Sequence, residues 1–219
     1  MGKKKKLIRF EENKHFDYLF EPVATDLLET PHELRGRWAD FFENNNPIVL
    51  ELGCGKGEYT TEQALLFPDK NFIGMDIKGS RINHGAKEIL GKSISNACFV
   101  RSQIELVDLI FDNEISEVWI TFPDPSIEKA RRRLTSPMFL NRYRSILKSN
   151  AAVYLKTDSK ELFDYTIETL KENKYKILFE TDDYYNSDIS QQLPPIKTTY
   201  EKKFLAEGKK ICLLKFEIK

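Results

Sequence analysis

The sequence predicts an α/β fold in which a mostly parallel sheet of seven strands carries helices on both faces. From Ile48 onward, short apolar runs alternate with helical stretches, which is typical of parallel strands joined by crossover helices. The runs are rich in β-branched and aromatic residues, as expected for strands that are buried on both faces. A length of 219 residues suits one domain around a single core.

Each predicted strand is a short apolar segment. In chain order the segments are IVLEL after Pro47, NFIGMDI, ACFV, EVWITF, AAVYLKT, YKILFE and KKICLLKFEIK. Helices are predicted over residues 81–90 and 161–170, where apolar residues recur on one helical face. Another is predicted from Pro31 to Phe42, because proline is favoured in the first turn. We therefore expect a basic N-terminal tail with a helical extension over residues 1–45, and the main domain over residues 46–219.

The stretch from Thr181 to about Thr199 is polar, contains Pro194 and Pro195, and separates the last two predicted strands. Connections longer than roughly 12 to 15 residues without regular structure tend to be functional or mobile. We expect a flexible flap here.

Composition restricts the class of protein. Apolar residues make up 41 % of the chain and charged residues 31 %, a mixture that supports a packed interior beneath a solvated surface. No apolar run approaches the roughly 18 residues of a membrane span, and MGKKKKLIRF lacks the apolar core of a secretion signal. Three separated cysteines form no CxxC pair. We expect a cytoplasmic protein with no membrane partner and no metal site.

A glycine-rich turn follows the first long strand. IVLEL leads directly into GCGKG, which places Glu51 two positions before Gly53, Gly55 and Gly57. Glycine is needed where the backbone turns sharply and approaches a ligand closely. The GxGxG spacing differs from the GxGxxG of dinucleotide sites, and it suits a cofactor that carries an amino acid and no phosphate. The alternative is an ordinary turn, in which Cys54 only fills space.

Acidic residues end three further predicted strands. Asp76 lies about 25 residues after Glu51, where an acidic side chain accepts ribose hydroxyl hydrogens. Substrates of open α/β folds bind beyond the carboxyl ends of the strands, so Asp124 should face the reacting group and Asp158 should lie on the same rim. The alternatives are a helix cap for Asp76 and for Asp158, and a turn cap between two prolines for Asp124.

Five segments in order carry a family resemblance: ELGCGKGE, NFIGMDIK, TFPDP followed by an arginine cluster and LT, LKTD, and TTYEKKF. Together they resemble bacterial tRNA (guanine-N7-)-methyltransferases over roughly residues 10–215. The glycine turn is shared by very many methyltransferases, whereas FPDP, TD and TxYExKF in that order are more specific. The resemblance implies a Rossmann-like class I methyltransferase that uses S-adenosylmethionine to methylate a guanosine in the variable loop of tRNA.

The resemblance also implies roles for single residues. Those that would contact the cofactor are Glu51, Gly53, Gly55, Gly57, Asp76, Asp124 and Gln103. Gln103 stands where family members usually carry an acidic or amide residue near adenine, and an amide can still bind adenine. Those that would hold RNA are Asp158, Thr198, Tyr200 and Glu201. The chain has SIEKARRRL where many members have WPKKRHHKRRL, so Glu128 or Lys129 stands at the position of the family's substrate lysine, and we favour Lys129.

We expect these residues to act mainly by positioning the guanine against the methyl group. Guanine N7 offers a lone pair and carries no proton, so attack on a methyl group needs no general base. Asp124 is the predicted catalytic residue, because a carboxylate stabilises positive charge on the purine. Asp158 or Glu201 suits the N1–H and N2 amine of guanine, which donate together to a carboxylate.

Local charge must supply the attraction to RNA, because the formal net charge is zero. One basic cluster is Lys3 to Lys6 with Arg9, and the other is Lys129, Arg131, Arg132 and Arg133. Such runs are usually solvated faces, but beside an active-site rim we expect them to contact phosphates.

Two alternatives remain open, an enzyme that methylates an exocyclic amine of a base and an inactive RNA-binding subunit. The first generally needs an aromatic residue after the prolines, where this chain has Ser126 and Ile127. The second would be expected to lose its glycine turn, which is intact here. Both a monomer and a homodimer are compatible with the sequence.

Overall fold

A computed structural model describes residues 3–219, with side chains from residue 5 onward. Its eight-stranded sheet has the order β1-β4-β3-β2-β5-β6-β8-β7. The strands are β1 (Leu19–Phe20), β2 (Ile48–Leu52), β3 (Asn71–Asp76), β4 (Ala97–Arg101), β5 (Ile115–Thr121), β6 (Leu147–Thr157), β7 (Lys176–Thr181) and β8 (Cys212–Glu217). All pairings among β1 to β6 are parallel, and β8 runs antiparallel to both β6 and β7. The predicted mostly parallel α/β sheet is confirmed, with one additional short edge strand.

Helices cover both faces of the sheet. They are α1 (Lys3–Asn13), α2 (Ala24–Glu29), α3 (Trp38–Phe42), α4 (Glu58–Leu66), α5 (Gly79–Lys92), α6 (Val107–Ile110), α7 (Pro137–Ile146), α8 (Lys160–Glu172) and α9 (Thr199–Ala206). Successive strand residues point to opposite faces, so Leu50 packs with the core of α3, α6, α7 and α8, and Val49 packs with the core of α4 and α5. No helix among residues 3–219 combines the length and apolar character needed to cross a bilayer.

The N-terminal segment differs from the predicted tail. It begins with α1, whose Asn13 is buried and accepts a 3.0 Å hydrogen bond from Asn83 of α5. β1 then pairs with β4 at the sheet edge. Asn13 of α1 and strand β1 are therefore packed against the main domain, and the division at residue 45 stays a prediction.

The predicted helix from Pro31 to Phe42 is wrong in its first half. The helix begins only at Trp38, because Gly36 has a φ of 75° and the chain turns there around Glu114. The Glu114 carboxylate accepts the backbone N–H groups of Gly36 at 2.8 Å and Trp38 at 3.0 Å. Glu114 thus satisfies backbone N–H groups that, in a continuous helix, would donate to carbonyls of the preceding turn.

The predicted flap between β7 and α9 contains 3-10 turns at Tyr184–Asn186 and Asp188–Gln191. Tyr184 and Ile196 are buried in the same core as α4 and α5. The segment is thus anchored by two side chains, and its flexibility stays a prediction.

The ring of Phe99 packs against glycines of three elements: the glycine turn, β3 and α5. Phe99 on β4 is fully buried, and a Cβ atom at Gly57, Gly74 or Gly85 would lie within 2.4 to 2.6 Å of it. Gly57 also has a φ of 74°, a left-handed conformation that side chains disfavour. These three glycines are therefore required by packing.

Replacing Gly57 with alanine should lower the free energy of unfolding by about 2 to 4 kcal/mol, because backbone strain and a clash with Phe99 add together. Urea denaturation measures the change. Gly91→Ala is the matched control, since Gly91 lies in α5 and a Cβ atom added there would meet nothing within 4 Å. That substitution should stabilise the protein by up to about 1 kcal/mol. Equal effects of the two substitutions would contradict the assigned role of Gly57.

Candidate active site

A cavity of about 510 Å³ opens at the carboxyl ends of β2, β5 and β6. It is lined by parts of the glycine turn, the start of α5, residues 121–125, residues 158–159 and the first turns of α9. Its volume lies within the range of roughly 300 to 1,000 Å³ that is usual for small-molecule sites. The cavity is therefore the candidate active site.

Glu51 provides a buried carboxyl group at the end of β2. It is 3 % exposed and reaches the cavity wall. Its Oε2 accepts hydrogen bonds from the Thr60 backbone N–H at 3.0 Å and from the Thr60 hydroxyl at 2.5 Å, and its Oε1 accepts one from the Thr121 hydroxyl at 2.6 Å. Burial raises the pKa of Glu51 to about 7, against the opposing effect of these hydrogen bonds.

The glycine turn presents backbone to the cavity. Gly53 and Gly55 line it with φ angles of 76° and 59°, and the Gly53 N–H donates to the Met75 carbonyl at 2.8 Å. Gly57 lies outside the lining and packs against Phe99 instead. Two of the three predicted glycines therefore face the cavity, and the third supports the turn.

Asp76 and Gln103 lie outside the cavity lining. The Asp76 Oδ2 accepts the Gly55 N–H at 2.9 Å and its Oδ1 accepts the Lys78 N–H at 2.7 Å. Asp76 thus ties the glycine turn to the start of α5, which resembles the alternative role of a helix cap. Gln103 is exposed, and its side chain makes no hydrogen bond to the turn that follows it.

Asp124 and Asp158 both line the cavity. Asp124 is exposed, and its Oδ1 also accepts the Ser126 N–H at 2.9 Å, so a turn cap and a cavity position are combined. Asp158 forms a 2.6 Å ion pair with Lys209. The alternative role of Asp158 as cap of the next helix is wrong, because Ser159 accepts the Leu162 N–H at 3.2 Å and caps α8.

Helix α9 closes one side of the cavity. The Thr198 hydroxyl caps the helix by accepting the Glu201 N–H at 3.2 Å. Tyr200 is 46 % exposed on the cavity rim. The Thr199 N–H and hydroxyl donate to the Glu58 carboxylate at 2.6 and 2.5 Å, which joins α9 to the glycine turn.

Glu201 is not placed to contact RNA. It is 0 % exposed, lies outside the cavity lining, and pairs with the Lys156 ammonium at 2.7 Å. Its Oε1 also accepts a 2.7 Å hydrogen bond from the Tyr185 hydroxyl. Burial lowers the pKa of Lys156, while Glu201 acts in the opposite direction. The pair is therefore a buried attachment of α9 to the end of β6.

The basic cluster divides into exposed and buried members. Lys129, Arg131 and Arg132 are exposed and line a shallow depression separate from the cavity. The Arg133 side chain is 5 % exposed, forms a 2.5 Å ion pair with Glu161 and donates to the Pro125 carbonyl at 2.9 Å. The expected phosphate contact of Arg133 is thus replaced by a structural contact between the 123–125 segment and α8.

Several cavity residues were missed in the sequence: Lys56, Arg81, Phe122, Phe204 and Lys209. Lys56 lies within the glycine turn itself, so the motif could have included it. Phe122 and Phe204 lie within the TFPDP and TTYEKKF segments, so these motifs could also have included them. Arg81 and Lys209 reach the cavity from separate elements, and no local pattern marks them. Over residues 3–219 no three His, Cys, Asp or Glu side chains converge as metal ligands, and a metal-free site stays a prediction.

The stability of the protein should depend on pH through Glu51. A carboxyl group whose pKa is raised to about 7 on folding contributes stability that is present below its unfolded pKa and lost as the pH rises through about 7. The Glu51→Gln variant lacks this loss. From pH 5 to pH 8, urea unfolding should show the wild type losing about 2 to 3 kcal/mol relative to the variant. A constant difference between the two proteins would contradict the buried ionisation.

Comparison with known proteins supports a methyltransferase. The family model described as a putative methyltransferase matches residues 45–214. A tRNA (guanine-N(7)-)-methyltransferase of Christiangramia forsetii is 46 % identical over 100 % of both chains. A protein of the same name from Bacteroides fragilis is 45 % identical over 99 % of this chain and 86 % of its own length, and one from Clostridium novyi is 36 % identical over 88 % and 90 %.

Solved structures share the fold at low sequence identity. The 16S rRNA methyltransferase KamB gives a TM-score of 0.65 at 13 % identity, covering 83 % of this chain and 92 % of that chain. A 16S rRNA (adenine(1408)-N(1))-methyltransferase with cosubstrate S-adenosylmethionine from Catenulisporales acidiphilia gives 0.61 at 16 % identity, covering 82 % and 88 %. These structural similarities establish a methyltransferase fold, and the sequence identities over the full length establish the family. This chain belongs to the tRNA (guanine-N(7)-)-methyltransferase family.

Proposed function

We propose that this protein is a cytoplasmic enzyme that transfers a methyl group from S-adenosylmethionine to N7 of a guanosine in the variable loop of tRNA. One observation carries the proposal beyond family membership. A single cavity joins the glycine turn and Glu51 on one side to Asp124 and Asp158 on the other. The cofactor and the acceptor base would thereby bind to different parts of the same cavity.

The residues of the turn fit the amino-acid end of the cofactor. Gly53 and Gly55 place no side chain between the backbone and the cavity, and the Glu51 carboxyl group is a partner for an ammonium group. Bound S-adenosylmethionine supplies a methyl group on a positively charged sulfur. Each carboxylate oxygen of Asp76 accepts one backbone N–H, from Gly55 or Lys78, and retains a lone pair that could accept a ribose hydroxyl.

The acceptor side of the cavity holds the target base and the charge that develops on it. N7 carries no proton, so no side chain has to act as a base. Asp124 would stabilise positive charge on the purine as the methyl group arrives. Asp158 would accept N1–H and the N2 amine, because it lines the cavity whereas Glu201 is buried behind it. Lys209, paired with Asp158 at 2.6 Å, holds that carboxylate in place.

Two surfaces near the cavity carry lysine or arginine side chains that would attract the RNA backbone. One contains Lys129, Arg131 and Arg132. The other is a groove of mixed charge that shares Lys56 with the cavity and contains Lys92, Lys197 and Lys202 together with Glu58, Glu62 and Glu88. Local charge of this kind gives salt-dependent binding although the net charge of the chain is zero.

Methyl transfer to unmodified tRNA tests the proposal directly. Radiolabelled S-adenosylmethionine should label one guanosine of the variable loop, and mass analysis of digested nucleosides should identify 7-methylguanosine. Label on an exocyclic amine would support the first alternative enzyme. Cofactor and tRNA binding without any transfer would support an inactive RNA-binding subunit.

The double substitution of Arg131 and Arg132 by alanine should weaken tRNA binding and reduce the slope of log K against log salt by about 1.5, because two phosphate contacts are lost. Titrations at several salt concentrations measure the slope. The matched control is Arg144→Ala with Lys148→Ala. Both residues are exposed and lie near the amino end of β6, whereas the cavity lies at the carboxyl ends of the strands. An equal change of slope in both variants would exclude a specific role for the Arg131 and Arg132 surface.

A further inference from the structure

Three aromatic rings line the cavity: Phe122, Tyr200 and Phe204. The ring centroids of Phe122 and Phe204 are 5.7 Å apart, and those of Tyr200 and Phe204 are 6.3 Å apart with planes 27° from parallel. We call these residues the aromatic wall. None of them follows Pro125, where the chain has Ser126 and Ile127.

Phe122 holds an unfavourable backbone conformation within this wall. Its φ is 48°, in the left-handed region that bulky residues rarely adopt. The following Pro123 disfavours helical conformations of the residue before it. The Phe122 N–H donates to the Lys156 carbonyl at 2.8 Å, which ties this residue to the end of β6. Strain of this kind is concentrated at functional sites, and here it accompanies a ring that lines the cavity wall.

Phe122 and Phe204 lie on the side of the cavity away from the cofactor elements, whereas Tyr200 contacts Arg81 of α5. Phe122 follows β5, and Tyr200 and Phe204 belong to α9, whereas the glycine turn follows β2 and Asp76 ends β3. β3 lies on the far side of β2 from β5 in the sheet. Phe122 and Phe204 are therefore placed for the methyl acceptor rather than for the ribose or adenine, and Tyr200 lies between the two sides.

Cationic groups already lie over these rings. The Lys209 ammonium is 4.4 Å from the centroid of Phe204, and the Arg81 guanidinium is 5.9 Å from that of Tyr200. Ring faces attract positive charge through their quadrupole. A purine that becomes cationic during the reaction would gain the same attraction.

We propose that the aromatic wall stacks against the target guanine and binds its methylated, cationic form more tightly than its neutral form. The inference rests on the proposed function. In the transfer, the N7 lone pair forms the new bond to carbon, and the carbon–sulfur bond breaks with its electron pair left on sulfur. The positive charge thus passes to the purine, where the rings stabilise it in the transition state and in the product.

Binding of two tRNAs tests the wall without requiring turnover. With S-adenosylhomocysteine present, the wild type should bind tRNA that carries 7-methylguanosine at the target position about 3- to 30-fold more tightly than unmodified tRNA. Tyr200→Leu and Phe204→Leu remove a ring at similar volume and should reduce this preference toward one. Tyr200→Phe keeps the ring and should keep the preference.

Single-turnover methylation supplies the second readout. Each leucine variant should transfer the methyl group about 3- to 30-fold more slowly at saturating tRNA, with the calorimetric affinity for S-adenosylmethionine unchanged. The control is Tyr175→Leu, which removes a ring packed against the core of α3, α6, α7 and α8. It should change neither readout. Thermal melting confirms that the variants fold.

Two results would overturn the proposal that the aromatic wall stacks against the guanine. Leucine variants that keep both the binding preference and the rate would show that the rings do not contact the purine. Loss of S-adenosylmethionine affinity with unchanged tRNA binding would assign the rings to the cofactor. A wild type that does not methylate N7 would instead refute the proposed function, and the transfer assay distinguishes these failures.

Discussion

The parallel pairing of β2, β5 and β6 is the constraint on which the site depends. Leu52 lies opposite Ile120, and Thr121 lies opposite Lys156, so the three strands end together at one edge of the sheet. Residues that follow these ends are then neighbours although about 70 positions separate Glu51 from Thr121. The hydrogen bond from the Thr121 hydroxyl to the Glu51 carboxylate crosses this junction. A shift in register would separate the wall that suits the cofactor from the wall that suits the base.

Helix α9 completes the site from outside the sheet. It is held at Thr199 by Glu58 of the first turn of α4 and at Glu201 by Lys156 of β6. The first contact is exposed and the second is buried, so the two attachments differ in strength. The arrangement positions Thr198 and Tyr200 against the cavity.

Sequence patterns predicted the central strands, because continuous apolar runs are characteristic of strands buried on both faces. They missed the two-residue β1 and the helix α1, whose stability comes from β4 and α5. For the site, the motifs located Glu51, Gly53, Gly55, Asp124, Asp158, Thr198 and Tyr200 in one cavity. The same motifs failed for Arg133 and Glu201, because the partners that hold these buried side chains, Glu161 and Lys156, lie 28 and 45 residues away in the chain. Local spacing carries no information about such partners.

The buried pair between Lys156 and Glu201 restricts how this sequence can diverge. Loss of either partner alone leaves an uncompensated charge in the interior and costs about 3 to 5 kcal/mol, a large part of the stability of an ordinary domain. Exchange of both for apolar residues of similar volume can be close to neutral. Descendants of this chain can therefore alter these two positions together, whereas a lineage that alters one first has to survive an intermediate with a poorly attached α9.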